Sequence, residues 1–205
     1  MRAARVAICA VACGFCGGAS AENRPLPDLF DITGVAPADT LNVRSAPDAR
    51  AEIIGELGPE ATDVEVTAIQ GGWGRVNQGE RSGWTAMRFL SRQDETWIAG
   101  AIPPALTCFG TEPFWSLGFE GQDLVWSDLD VTTGMAAAEA LGGAIPGDVR
   151  RGLVAAGDRI EIHAAISPGT CSDGMSDRAF GLTAAIIVDE GGGPRLLHGC
   201  CSIAP

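Results

Sequence analysis

LNVRSAPDA at residues 41–49, GGWGRV at 71–76 and GWTAMRFL at 83–90 decide the fold of the first half of this chain. Each is a short apolar or alternating segment punctuated by glycine or proline, and none carries the i, i+3, i+4 spacing of a helix. Between the first and the second, Val64-Glu65-Val66-Thr67-Ala68-Ile69 alternates as a half-buried strand does, and Gly71-Gly72 supplies a tight turn before Trp73. Gly79 and Gly83 bracket another turn ahead of Trp84. Ile32 lies upstream, Pro37 and Pro47 break the early segments, and Ile53, Ile54 and Leu57 supply a further strand. Five short strands in about 60 residues predict a small, self-contained β-barrel over residues 29–92.

Upstream, residues 22–28 contain Pro25 and Pro27 and read as a flexible leader. Residues 1–21 carry Arg2 and Arg5, an apolar run from Val6 to Phe15, and Ala19-Ser20-Ala21 as a cleavage site, the pattern of an export signal. The run is shorter than the ~20 residues that span a bilayer, and no later stretch is long and apolar enough to do so. A periplasmic or secreted protein is expected. The competing reading takes Ala10-Val11-Ala12-Cys13 as a lipoprotein box that anchors the chain through Cys13.

The 205 residues hold 26 Asp and Glu against 14 basic residues, every one of them arginine, for a net charge of −12. Loss of Arg2 and Arg5 with the signal takes this to about −14. An acidic surface repels phosphate backbones and anionic lipids, which argues against nucleic-acid and membrane-surface partners.

Cys9, Cys13 and Cys16 lie within the signal, leaving Cys108, Cys171, Cys200 and Cys201. In an oxidising compartment these should form two disulfides, and a bridge between the neighbours Cys200 and Cys201 is the least favoured pairing because it is badly strained. Consecutive residues of a strand face opposite ways, so Cys200 and Cys201 must reach different partners. Two connectivities survive. Cys171 with Cys200 and Cys108 with Cys201 is preferred over the reverse.

Residues 93–107 read as an interdomain linker ending in Pro103-Pro104, followed by a second, mostly antiparallel β-domain over 108–205, a barrel or a sandwich. Trp115, Leu117 and Phe119 share one strand face; Leu124 and Trp126 follow across the Gly121 turn. Ile160, Ile162, Ala164 and Ile166 form a third face and Leu182, Ala184, Ile186 and Val188 a fourth. Residues 135–141 and 148–154 are each read as a helical turn or two. The fold class is all-β.

DITGVAPADTLNVRSAPDA, Gly55-Glu56-Leu57, VEVTAIQGGWGRV and GWTAMRFL together resemble the bacterial Src-homology-3 family, in its order and over nearly the whole of residues 29–92. The resemblance implies a small barrel in an exported protein with a binding or targeting role at the cell envelope, where several members bind cell-wall peptides. CFGTEPFWSL (108–117), CSDGMSD (171–177) and HGCC (198–201) resemble a family of exported bacterial domains of uncharacterised role. Its members commonly follow Asp-Gly-Met-Ser-Asp with an aromatic and a proline, where this chain has Ala179-Phe180-Gly181. No catalytic assignment comes with that resemblance.

Trp73 and Trp84 are candidates to stack on a peptide or sugar, although aromatics of so small a barrel are more often core. Asn42 and Arg44 are candidate ligand contacts, with the tying of a turn as the other reading. Barrels of this kind accompany cysteine peptidases with a Cys-His-His set, and Cys108, His163 and His198 occur in that order. Cys108, however, leads into a strand and has disulfide partners, and alternation turns His163 away from the apolar face. Ser172, Asp173, Ser176 and Asp177 offer oxygens to a calcium ion but lack a calcium-loop spacing, and turn capping is the simpler use. Zinc is disfavoured because its thiols would be oxidised. Glu112 beside Pro113-Phe114-Trp115 lacks an identifiable second carboxylate for glycosidase chemistry, and Trp115 is expected to plug the end of the barrel. A non-enzymatic binding protein without a cofactor is expected, acting on a cell-wall peptide, glycan or envelope protein. An inhibitor or sensor of the lysozyme-inhibitor type, and a cell-wall peptidase, are the alternatives.

Overall fold

Leu41 and Val43 point into the first barrel while Asn42 and Arg44 point out, the alternation of strand β2 (Leu41–Arg44). The computed structural model describes residues 24–205 except 122, 130, 131, 136–138 and 143–146, so the signal segment and Cys13 lie outside the described residues. β2 belongs to a five-stranded antiparallel sheet in the order β3 (Ile53–Leu57), β2, β7 (Arg81–Ala86), β6 (Trp73–Gln78), β5 (Ala68–Gln70). A second sheet places β1 (Asp28–Ile32) between β4 (Val64–Val66) and β8 (Leu90–Arg92), with a 3-10 turn at Met87–Phe89 leading into β8. The single strand expected over 64–69 is two. Thr67 carries the chain from one sheet to the other, and its N–H donates to the carbonyl of Arg75 at 2.9 Å.

Phe30, Val43, Val66 and Val76 form the buried centre of this barrel, with Ile54, Leu57, Val64, Met87 and Leu90 half-buried against it and Ile32 and Leu41 also buried. Even with these, the core is small, as expected for a unit of this size. Contacts with the rest of the chain therefore matter to it.

The second half is one nine-stranded antiparallel sheet in the order β12, β11, β10, β9, β17, β16, β15, β14, β13. In chain order these are β9 (Thr107–Thr111), β10 (Phe114–Glu120), β11 (Asp123–Asp128), β12 (Thr132–Met135), β13 (Glu139–Gly142), β14 (Arg151–Ala156), β15 (Glu161–Cys171), β16 (Phe180–Asp189) and β17 (Arg195–Ser202). The two edge strands, β12 and β13, follow one another in the chain, so covalent reach holds Met135 and Glu139 within ~15 Å and the sheet must curl. Its inner face carries Leu124, Trp126, Leu153, Ile162, Ile166, Leu182 and Ile186 as one core.

The helical turns expected at 135–141 and 148–154 are a correction. Residues 139–142 and 151–156 are strands, and in the latter Arg151, Leu153 and Ala155 are buried while Gly152 and Val154 are half-buried and Ala156 is exposed. Pairing with β15 on one side and β13 on the other outweighs the indifferent local propensity of a Gly- and Ala-rich segment.

Cys108 pairs with Cys201 and Cys171 with Cys200, the preferred of the two connectivities. Cys108 and Cys201 stand opposite each other on β9 and β17 and are buried in the core, so Cys200 reaches Cys171 on the other face. Trp115 stacks on Trp126 with ring centroids 5.6 Å apart. Its indole lies under two glycines: a Cβ on Gly110 would meet Trp115 Nε1 at 2.2 Å, and one on Gly199 would meet the Phe109 carbonyl oxygen at 2.0 Å. The glycines of CFG and HGCC are thus required by packing.

The two halves are joined by more than the chain. Asn77 on β6 accepts from the Ala179 N–H at 2.9 Å and donates to the Ala179 carbonyl at 3.1 Å. The Ser82 N–H donates to the Asp177 carbonyl at 2.8 Å, and the Asp177 N–H to that of Glu80 at 2.9 Å. Residues 93–107 are held at the same seam. The Arg151 guanidinium donates to the carbonyls of Ala101 and Ile98, at 2.6 and 2.9 Å, and lies 4.9 Å from the centroid of buried Trp97. Trp97 in turn donates to the carbonyl of Pro27 at 2.8 Å, and Pro27 abuts Gly181 so closely that a Cβ there would lie 2.9 Å from it.

Candidate functional site

Alternation on β2, β6 and β7 places the four candidate ligand-binding residues on the outer face of the five-stranded sheet. Gly83 faces the core, where a Cβ would meet Val43 at 2.5 Å, so Trp84 faces outward. Gly74 faces Val66 and Met87, so Trp73 does the same. Neither tryptophan is part of the barrel core, contrary to the core reading; both are half-buried. The physical reason is the inward glycine beside each, which leaves the small interior to valines and Phe30.

A groove of about 430 Å³ opens on the barrel surface, and Asn42, Arg44, Trp73, Arg88 and Phe89 line it. Three of the four candidates meet here. Trp84 does not line it; it stands across the ladder from Arg44 on one side and Arg75 on the other. Arg44 also holds the turn beyond β2, donating from Nη1 to the Ala51 carbonyl at 2.8 Å. The turn-tying reading and the ligand reading therefore fall on one residue. Arg88 lies 4.5 Å from the centroid of Phe89 and is exposed. Asp39 is the one carboxylate in the lining, against Arg44 and Arg88, so the groove is locally cationic on a chain of net charge −12. Flat aromatic surface beside guanidinium groups suits a planar or carboxylate-bearing ligand.

The three motifs of the second domain converge as well. CFGTEPFW, CSDGM and HGC border a groove of about 730 Å³ next to the Cys171–Cys200 bridge. Inside the DGMSD loop the Asp173 carboxylate accepts from the N–H groups of Met175 and Ser176, at 3.0 and 2.9 Å, and from the Ser176 hydroxyl at 2.8 Å. Desolvation would raise this carboxyl, but the Ser176 and Met175 hydrogen bonds outweigh it and hold it below the usual carboxylate range. The side-chain oxygens of Ser172, Asp173 and Ser176 are engaged by the loop's own turn, and no metal-ligating cluster occurs among the described residues. Thr111 Oγ1 donates to the Asp173 carbonyl at 2.9 Å and ties this loop to the hairpin carrying Glu112, which is exposed.

The Cys-His-His set is not assembled. Cys108 is crosslinked and faces the core, whereas His163 and His198 are exposed on the outer face, and His163 lies 2.7 Å from Glu161.

Sequence reasoning missed Glu65. Its carboxyl lies between the barrel and the end of β17, where Oε2 accepts from the Ser202 hydroxyl at 2.6 Å and Oε1 has no hydrogen-bond partner among the described residues. Burial pushes it up to about 7, against the lowering effect of the Ser202 hydrogen bond and of Arg178.

These features define a small β-barrel with an aromatic and cationic groove, fused to a disulfide-bonded β-domain. Residues 39–91 match the family model described as bacterial SH3 domain. β1 lies outside the matched residues yet completes the barrel by pairing with β4 and β8. No curated protein and no solved structure matches the chain.

Proposed function

We propose that this is an exported, non-enzymatic binding protein whose barrel groove engages a carboxylate-bearing peptide of the cell envelope, periplasmic or secreted in location. One observation carries the reading: a bacterial SH3 domain whose outward Asn42, Arg44 and Trp73 converge with Arg88 on a single groove. Bacterial SH3 domains commonly bind cell-wall material. Two disulfides, each linking strands of the second domain, support an oxidising compartment. Separation of Cys108 from both histidines supports a role without a cysteine nucleophile.

Pulldown of the full chain on purified peptidoglycan sacculi tests this. Substitution of Trp73→Ala with Arg88→Ala, both outside the core, is expected to abolish retention while leaving the circular dichroism spectrum unchanged. Retention equal to that of the wild type would overturn the assignment of the groove.

A further inference from the structure

The two disulfides differ in what surrounds them. Cys108 and Cys201 are 1% and 0% exposed and belong to the core cluster among Trp115, Leu117 and Leu182. Cys200 is as buried as these, at 2% exposed, but its partner Cys171 is half-buried, and both line the groove of about 730 Å³ that opens to solvent. A thiolate must reach a sulfur along the S–S axis to displace the other. The groove admits it at one bridge, and packing denies it at the other.

What the accessible bridge holds is the docking loop. Cys171 ends β15 after an irregularity between Pro168 and Cys171, and the next eight residues run to Ala179. That segment carries every hydrogen bond described above between Asn77, Glu80 or Ser82 of the barrel and the second domain. At its start the loop is fixed by the bridge to β17 and by the Thr111 hydroxyl.

We propose that Cys171–Cys200 is a separately reducible bridge, and that its opening by a dithiol loosens the docking of the barrel on the second domain. The attacking thiolate forms a bond to Sγ of Cys171, the less buried residue of the bridge. The Cys171–Cys200 bond breaks and its electron pair leaves on Cys200 Sγ, which takes a proton from solvent. The reductant's second thiolate then attacks its own partner sulfur in the mixed disulfide, releasing Cys171 as a thiolate that is protonated in turn. The bridge gains two electrons and two protons, and the dithiol becomes a disulfide. The partner is a dithiol, small or protein-borne, whose reactive thiol enters the groove past Phe114 and Met175.

The test is graded reduction of the native full chain with dithiothreitol, alkylation of released thiols, and mapping by mass spectrometry, with amide hydrogen exchange followed on the same samples. Cys171 and Cys200 are expected to label at least about tenfold faster than Cys108 and Cys201. Exchange of the Ser82, Asp177 and Ala179 amides is expected to accelerate at least about tenfold, while the amides of Leu117 and Leu182 keep their protection. A C171S/C200S variant is expected to show the same acceleration without reductant. Simultaneous labelling of all four cysteines overturns the proposal, as does unchanged exchange at the three docking amides once Cys171–Cys200 is open, or failure of the double variant to fold.

Discussion

Replacing Glu65 with glutamine should flatten the pH dependence of stability between pH 5 and pH 8. The Glu65 carboxyl titrates at about 7 in the folded chain against 4.5 for an ordinary glutamate, with burial as the leading cause. Between those values the native state holds a proton that the unfolded chain has released, so stability falls as pH rises through this window. The contribution of the protonated form is complete below pH 4.5 and is lost above pH 7. At ~1.36 kcal/mol per pH unit the difference is worth about 3 kcal/mol. Glu65 is only 6% exposed, so solvent screening discounts this little.

Glutamine keeps the carbonyl that accepts from Ser202 and removes the titration. Urea unfolding of wild type and E65Q at both pH values gives the comparison. The two proteins are expected to agree closely at pH 5, and at pH 8 E65Q is expected to be the more stable by up to about 3 kcal/mol. Parallel stability curves for the two proteins across this range would refute the reasoning, since they would mean that Glu65 is ionised or solvated in the folded state throughout.

Asn77→Ala removes both hydrogen bonds to Ala179, and unfolding by urea is expected to show a loss of about 1–2 kcal/mol. Gly199→Ala drives a methyl to 2.0 Å from the Phe109 carbonyl oxygen, a backbone atom with nowhere to go; its melting temperature is expected to fall by an amount equivalent to about 2 kcal/mol or more. Arg151→Ala strips donors from the carbonyls of Ile98 and Ala101 and bares Trp97, so a loss of about 3 kcal/mol is expected, together with new proteolytic cleavage between residues 93 and 107; Arg151→Lys should recover only part of it.

How much of this could be read from the chain depends on the range over which each determinant acts. Trp115-Ser-Leu117 and Leu182-Thr-Ala184-Ala-Ile186 carry their burial in a period of two, because a strand with one wet face writes that face into its own sequence. Cys200 and Cys201 constrained the crosslinks because neighbours on a strand must part. Residues 151–156 hid their strand, since Arg151-Gly152-Leu153-Val154-Ala155-Ala156 places a cation at a buried position made tolerable in part by the Trp97 ring and the carbonyls of Ile98 and Ala101, about fifty residues away. On the barrel, Asn42, Arg44 and Trp73 were visible as outward residues, but their convergence with Arg88 depends on how β2, β6 and the 3-10 turn lie across the sheet.

Glu65 shows where such reading ends, and why the barrel and its neighbour are one physical unit. In Val64-Glu65-Val66 the alternation predicts a charged side chain facing water, and for an isolated barrel it would. Ser202 lies 137 residues away and closes over that face, so a position that local sequence marks as wet becomes dry through tertiary contact. Burial without ionisation demands a hydrogen-bonded neutral acid, and the Ser202 hydroxyl supplies the bond. The same closure adds to a small core the docking bonds of Asn77, Glu80 and Ser82. A barrel cut free at residue 92 would expose Glu65, lose those bonds and keep only its thin interior. The boundary drawn by a sequence pattern therefore marks where a fold unit ends in the chain; the thermodynamic unit ends where the buried contacts do.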